Sequence, residues 1–337
     1  MATIKDIAVH AEVSVTTVSH VVNGTRFVSV DARQRVNTAI EALRYVPSAL
    51  ARSLKSNRTH TVGMMIPNCS NPFFAELIRG IEDTCFASNF NVILCNSDDN
   101  PDKQRKYVRV LSEKQVDGLI VFSSGGDTDL SEALRETDMP QILLDREVEH
   151  VSADLVEVDH EAGAWMATRH LIDLGHRRLA CITGPLDLAP ARQRLQGYRR
   201  ALSEAGLASN PTWEVDGGFT SEAGHAAMQQ LLAHSQTPSA VFACNDLMAI
   251  GAICAATGQG LRVPHDLSVV GFDDIALSAH SSPPLTTIAQ PKYQLGVIAA
   301  TFLLSRISKP DQPLRREVLP AKLCIRQSTM AYPTEKS

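Results

Sequence analysis

At seven places in this chain, hydrogen-bonding side chains follow a short apolar run. TVGMMI leads to Asn71-Pro72-Phe73-Phe74, and NVILCN to Ser97, Asp98, Asp99 and Asn100. QILLD ends in Asp145-Arg146, and LACIT precedes a segment carrying Arg192 and Arg194. AVFAC precedes Asn245-Asp246, SVVGF precedes Asp273-Asp274, and LTTIA precedes Gln290-Pro291. Asp, Arg, Asn and Gln are the groups that hold a polyol. A carboxylate accepts from two neighbouring hydroxyls, a guanidinium donates a planar fork, and an amide does both. Phe73 and Phe74, with Phe219 in GGFTSEAGH, can stack on the C–H faces of a sugar ring.

Each residue has a plainer reading. An acid just after a strand is often a helix cap, and that reading is preferred for Asp246 and Asp274. Phe73 and Phe74 can be core, and Arg192 and Arg194 can pair with surface acids. Convergence of one chemistry on so many run ends favours a binding site. The catalytic alternatives lack their motifs. Gly258-Gln259-Gly260 follows a helical segment and lacks the third glycine of a dinucleotide fingerprint. His160-Glu161 begins like a zinc-protease motif, but Ala164 stands where the second His is needed. No enzyme, metal or cofactor is expected.

The apolar runs read as buried strands spaced to leave a helix between them, the pattern of parallel α/β sheets. From Thr61 onward there are too many for one sheet, so two doubly wound lobes are expected, with ligands at the carboxyl ends of their strands.

The first sixty residues differ in texture and charge. They hold eight Lys or Arg against four acids, +4, in a chain of net charge -5, which leaves -9 for the rest. A basic head on an acidic body suits a head that meets phosphate. Ile4, Ile7, Ala8 and Ala11 share one helical face, and Val15, Val18 and Val22 share another. Ser14 is placed to cap the second helix. That helix carries Thr16, Thr17, Ser19 and His20 away from its apolar face, as a reader of base edges in a major groove would. A third helix from about Asp31 to Arg44 closes a small core around Ile7, Val18, Val36 and Ile40. Arg26, in the loop between, reaches a phosphate or is a solvated surface side chain. Glu12 occupies a turn where Gly or Asn is cheaper if φ is positive.

Tyr45-Val46-Pro47 ends the third helix. SALARSLKSN then forms a helix of roughly nine residues, marginal by itself because nucleation is costly. It is either an ordinary linker helix or, paired on DNA, the carrier of Leu54 as an apolar wedge in the minor groove.

MATIKDIA, VSVTTVSHVVNGTRFVS, Tyr45-Val46-Pro47 and SALARSLK resemble the LacI/GalR family of bacterial transcriptional repressors, and the similarity runs through the whole chain. Glu12 departs from the Gly usual in that turn. The resemblance implies an N-terminal helix-turn-helix DNA-binding domain (1–46), a hinge helix and linker (47–60) and a two-lobed body like periplasmic sugar-binding proteins (61–337). The lobes are expected at about 61–160 with 292–324, and about 162–289 with 326–337. Thr16, Thr17, His20, Asn23 and Arg26 would then face double-stranded operator DNA, with Leu54 and Lys55 in its minor groove. The pocket motifs look like those of ribose-binding proteins and ribose-type repressors. Carried over, the effector contacts would be Asn71, Phe73, Phe74, Asp145, Arg146, Arg194, Phe219, Asn245, Asp273 and Gln290.

The function so implied is repression of a sugar-utilisation operon by a homodimer, released when D-ribose or a related sugar closes the pocket. Two alternatives remain. One is a purine-type repressor whose ligand strengthens DNA binding; the other is a sugar-binding protein with no DNA role. MATIKDIA has no apolar signal-peptide core, and no run is long enough to span a bilayer, so a cytoplasmic location is expected. The seven scattered cysteines sit mostly in apolar runs, as reduced core residues do. The tail carries Pro333 and no heptads, so a dimer is expected.

Overall fold

The computed structural model describes residues 2–45, 58–122 and 127–333. The chain divides into two units, 1–59 and 60–337. The hinge segment, with Leu54 and Lys55, lies outside the described residues.

In the first unit, α1 (Ile4–His10) begins in a capping box, Thr3 and Asp6 bonding reciprocally. Helix α2 (Val15–Asn23) is capped by Ser14 and ends at Gly24 in the left-handed region. Helix α3 (Val30–Ala42) starts from Ser29. Ile7, Ala8, Ala11, Val18, Val36 and Ala39 form the buried core, with Ile40 at its edge. Val15 corrects the expectation, being 42% exposed rather than on the inner face. Glu12 has φ 52° in the turn between α1 and α2, so the positive φ allowed for in the sequence is present.

The second unit holds two six-stranded sheets. The first lobe runs β1 (Thr61–Ile66), α4 (Phe73–Ala87), β2 (Asn91–Asn96), α5 (Pro101–Glu113), β3 (Gly118–Phe122), α6 (Asp127–Arg135), β4 (Gln141–Leu144) and β5 (Asp154–Val158). The chain then crosses into α7 (His160–Asp173), β6 (Leu179–Thr183), α8 (Ala189–Glu204), β7 (Glu214–Asp216), α9 (Ser221–Leu232), β8 (Ala240–Ala243), α10 (Asp246–Gly258), β9 (Ser268–Asp273) and β10 (Thr286–Ala289). It returns to the first lobe with α11 (Lys292–Ser308) and β11 (Arg316–Leu319), then crosses again to β12 (Lys322–Cys324). The sheet orders are β11-β5-β4-β3-β1-β2 and β12-β10-β9-β8-β6-β7. Every pairing is parallel except β10 with β12.

The last crossing corrects a lobe boundary. Residues 322–324 pair antiparallel with β10 in the second sheet, so the first lobe ends near residue 320 rather than 324. Strand β5 was missed in sequence because Asp154 and Glu157 interrupt its apolar pattern. Both are neutralised from afar. Asp154 is bridged by Arg306 and Arg315, and Glu157 by Arg316.

Two glycines let helices approach at backbone distance. A Cβ on Gly296 of α11 would stand 2.3 Å from the Leu77 carbonyl of α4. One on Gly197 of α8 would stand 2.2 Å from the Glu161 carbonyl of α7.

Candidate functional site

The carboxyl ends of both sheets face one cleft of about 790 Å³, counted with its open mouth. It is lined by Asn71, Phe73, Phe74, Asp145, Arg194, Phe219, Asn245 and Asp273, eight of the ten residues expected from the sequence. Pro67, Asn68, Asp99, Phe122, Pro185, Leu188, Pro190, Gly218 and Thr220 also line it. Asp99 stands among the run-end residues read from the sequence; Asn68, two residues past β1, carries the same signal but is not among the residues singled out there. Arg146 and Gln290 are corrections to the lining expected. Both are buried, and neither is on the cleft wall. Gln290 sits behind Asp273 and donates to its Oδ1 at 2.7 Å.

Four non-glycine lining residues have positive φ: Asp99 at 51°, Asp145 at 70°, Phe219 at 58° and Asp273 at 115°. Such backbone costs of order 1–3 kcal/mol per residue and persists only where its surroundings enforce it. Here it turns each side chain into the cleft at the end of a strand or in a tight turn. Asn245 helps hold the Phe219 turn, its Nδ2 donating to the Phe219 carbonyl at 3.1 Å. Its Oδ1 accepts from Met248 N at 2.8 Å and caps α10. The cap at this strand end is therefore Asn245, not Asp246 as preferred from sequence. Asp246 is buried and accepts from Thr287, Ser278 and the Ile275 amide. Asp274 is not a cap either; it pairs with Arg326.

Arg194 is the cleft's buried cation. Its guanidinium carbon lies 3.9 Å from the Phe272 ring centroid and 5.8 Å from that of Phe219. It donates to the Cys244 carbonyl, and its Nη1 stands 3.5 Å from Asp273 Oδ1. Arg192, by contrast, is exposed and donates to the carbonyls of Leu186 and Asp187.

The two buried carboxylates of the cleft, Asp145 and Asp273, differ in charge behaviour. Burial pushes Asp145 up, but His160 and Arg194 outweigh it and hold the carboxyl below the usual range. Burial pushes Asp273 up to about 6, against the pull of Arg194, Gln290 and Lys292. Near neutral pH both are acceptors beside one fixed cation. Phe73, Phe74 and Phe122 meet edge to face, at interplanar angles of 87°, 63° and 90°, so these three rings form no parallel slot.

In the first unit, Thr16, Asn23 and Arg26 are exposed, and Thr17 and His20 are half-buried on α2. The Thr17 hydroxyl lies 2.8 Å from that of Ser14, His20 Nδ1 lies 2.8 Å from Thr25 Oγ1, and Asn23 donates to the Ser19 carbonyl. These contacts preset the side chains on one short helix.

The described architecture, a small helical head and a two-sheet body with a cleft, matches known proteins over its whole length. Residues 3–48 match the family model for bacterial regulatory proteins of the lacI family. Residues 168–329 match a periplasmic binding protein-like domain. A transcriptional repressor, PurR of Photobacterium profundum, is 44% identical over 97% of this chain and 98% of its own length. The chain belongs to the lacI family. It is a DNA-binding transcriptional repressor. The ribose operon repressor of Escherichia coli (strain K12) is 45% identical over 94% of this lacI-family repressor and 96% of its own length. A lac repressor dimer solved with operator and the anti-inducer ONPF superposes with TM-score 0.89 at 30% identity, covering 98% of this chain and 99% of that one. Among the described residues, no helix of this lacI-family repressor is long and apolar enough to cross a membrane.

Proposed function

We propose that this lacI-family repressor binds a palindromic operator as a homodimer and is released when D-ribose or a related pentose occupies its cleft. The observation that carries the sugar reading is the cleft's polar set: Asp145 from the first lobe, with Asp273 and Arg194 from the second. Two acceptors and one planar donor at this spacing suit vicinal hydroxyls, with Phe73, Phe74 and Phe219 covering the ring. A ligand gripped by both lobes selects the form in which both reach it. Thr16, Thr17, His20, Asn23 and Arg26 would contact the major groove and its phosphates, and Leu54 and Lys55 the minor groove. Arg146 and Gln290, away from the cleft wall, act in this reading behind the residues that touch sugar.

A second reading is favoured by the 44% identity to a repressor named PurR: a purine acting as co-repressor. Operator binding followed by fluorescence anisotropy, with D-ribose or with hypoxanthine, separates the two. Release by ribose supports the sugar reading. Binding that ignores ribose and tightens with hypoxanthine replaces it with the purine one.

A further inference from the structure

The cleft walls do not explain His160. It is 1% exposed, does not line the cleft, and opens α7 where the chain leaves the first lobe. Its Nε2 lies 2.6 Å from Asp145 Oδ1, at the end of β4 in the first sheet. Its Nδ1 lies 3.3 Å from both Nε and Nη2 of Arg194, on α8 of the second lobe. Arginine has no acceptor, so Nδ1 must accept and the ring proton sits on Nε2, donating to Asp145. The imidazole thus has a fixed tautomer and two partners, one in each lobe.

The surroundings enforce this arrangement. Gly197 lets α8 pack against the α7 backbone at Glu161, the residue after His160. Phe272 floors both groups, 5.8 Å from the His160 ring and 3.9 Å from the Arg194 guanidinium carbon. A second polar crossing lies nearby. Lys292, in the first lobe, donates its Nζ to the Asp273 and Asp274 carbonyls of the second at 2.8 and 2.7 Å.

We propose that His160 is a positioning residue, an imidazole that ties Asp145 of one lobe to Arg194 of the other so that both meet the effector in one arrangement. The inference rests on the effector reading above. Without the bridge, Asp145 loses its side-chain donor and keeps the Val158 amide, and Arg194 loses one of its acceptors. Each lobe then offers its group independently, and the effector must order both.

Two arms test this on the full-length chain. The first arm needs no effector: histidine-selective 15N labelling with long-range 1H–15N spectra, His160 assigned by comparison with His160→Gln. The expected result is an Nε2-protonated ring whose downfield proton moves upfield in Asp145→Asn. A proton on Nδ1, or a resonance unmoved in Asp145→Asn, overturns the proposal. The second arm reads D-ribose-driven release from operator. His160→Ala should raise the ribose needed for half-release by about tenfold to a hundredfold, as loss of a hydrogen bond to a charged group does. His160→Gln, whose amide nitrogen reaches the Nε2 position, should recover most of it. In the Asp145→Asn background the alanine change should add little. Equal losses in the alanine and glutamine variants, or full additivity with Asp145→Asn, would assign His160 a packing role only. A wild-type chain that ignores ribose overturns the ribose reading, and the spectra then decide on His160 alone. They do so equally if His160→Ala does not fold.

Discussion

Thr287 donates its hydroxyl to Asp246 Oδ1 at 2.5 Å, joining β10 to the first residue of α10 behind the cleft. Ser278 and the Ile275 amide donate to Oδ2 at 2.6 and 2.9 Å. Three donors stabilise a carboxylate, yet burial, with repulsion from Asp273, prevails and pushes Asp246 up to about 7. An acid whose folded pKa is raised binds its proton more tightly in the native state. Its contribution to stability is full below the unfolded value of about 4 and is lost as pH rises through about 7. Asp273, pushed up to about 6, acts in the same sense, while His170 and His176, which burial pushes down, act in the opposite sense as pH falls through their unfolded value. The wild-type profile is therefore a sum, and a variant isolates the carboxyl. In thermal unfolding between pH 5 and 8, the stability gap between wild type and Asp246→Asn should shrink as pH rises, by up to about 1.4 kcal/mol per pH unit. A gap constant across that range would mean that Asp246 does not titrate there.

Arg194→Lys should abolish the response to effector over at least about a hundredfold in concentration, although charge is kept. An ammonium cannot lie flat on Phe272 while also donating to Cys244 and His160. Anisotropy titrations with effector against operator-bound protein read this directly. A response at the wild-type concentration would place the binding site elsewhere.

Glu12→Gly should stabilise the N-terminal unit by about 1 kcal/mol, since φ 52° costs an L-residue roughly that much and glycine little. Glu12 is exposed, and its carbonyl, retained in glycine, lies 3.5 Å from Arg35 Nη1. Hydrogen exchange of α1 and α2 amides in the full chain would show slower opening. Faster exchange would mean that the side chain contributes more than the backbone conformation costs.

Leu54→Ala should leave the N-terminal unit folded while specific operator affinity drops by more than about tenfold, because a smaller side chain cannot hold a base step apart. Binding to nonspecific DNA, governed by phosphate contacts, should change little. Equal affinity for operator in both proteins would leave Leu54 as linker packing.

The helices and strands were legible where their cause is local. The Ser14 cap, the spacing of Ile7, Val18 and Val36, and the strands TVGMMI, NVILCN, LACIT and SVVGF all depend on neighbours a few residues away. Most of the cleft was legible for a related reason. Parallel sheets present the residues after their strands at one edge, so run-end Asp and Asn residues identified the wall. Arg146 and Gln290 fall off the wall because a position at a strand end does not fix which way a side chain turns. The positive φ of Asp145 turns that carboxyl to the cleft rather than its neighbour, and Gln290 is turned to Asp273 by its hydrogen bond.

The sequence by itself determined a helical reader joined to a parallel two-lobed body, because periodicity, caps and strand-end chemistry are written in consecutive residues. Only the tertiary structure decided that β5 is an interior strand despite its acids, that the last crossing falls near residue 320 rather than 324, and that His160 links Asp145 to Arg194. The physical reason is that the deciding partners come from distant parts of the chain: buried Asp154 and His160 are stable only with theirs, and β12 takes its place by backbone pairing with β10.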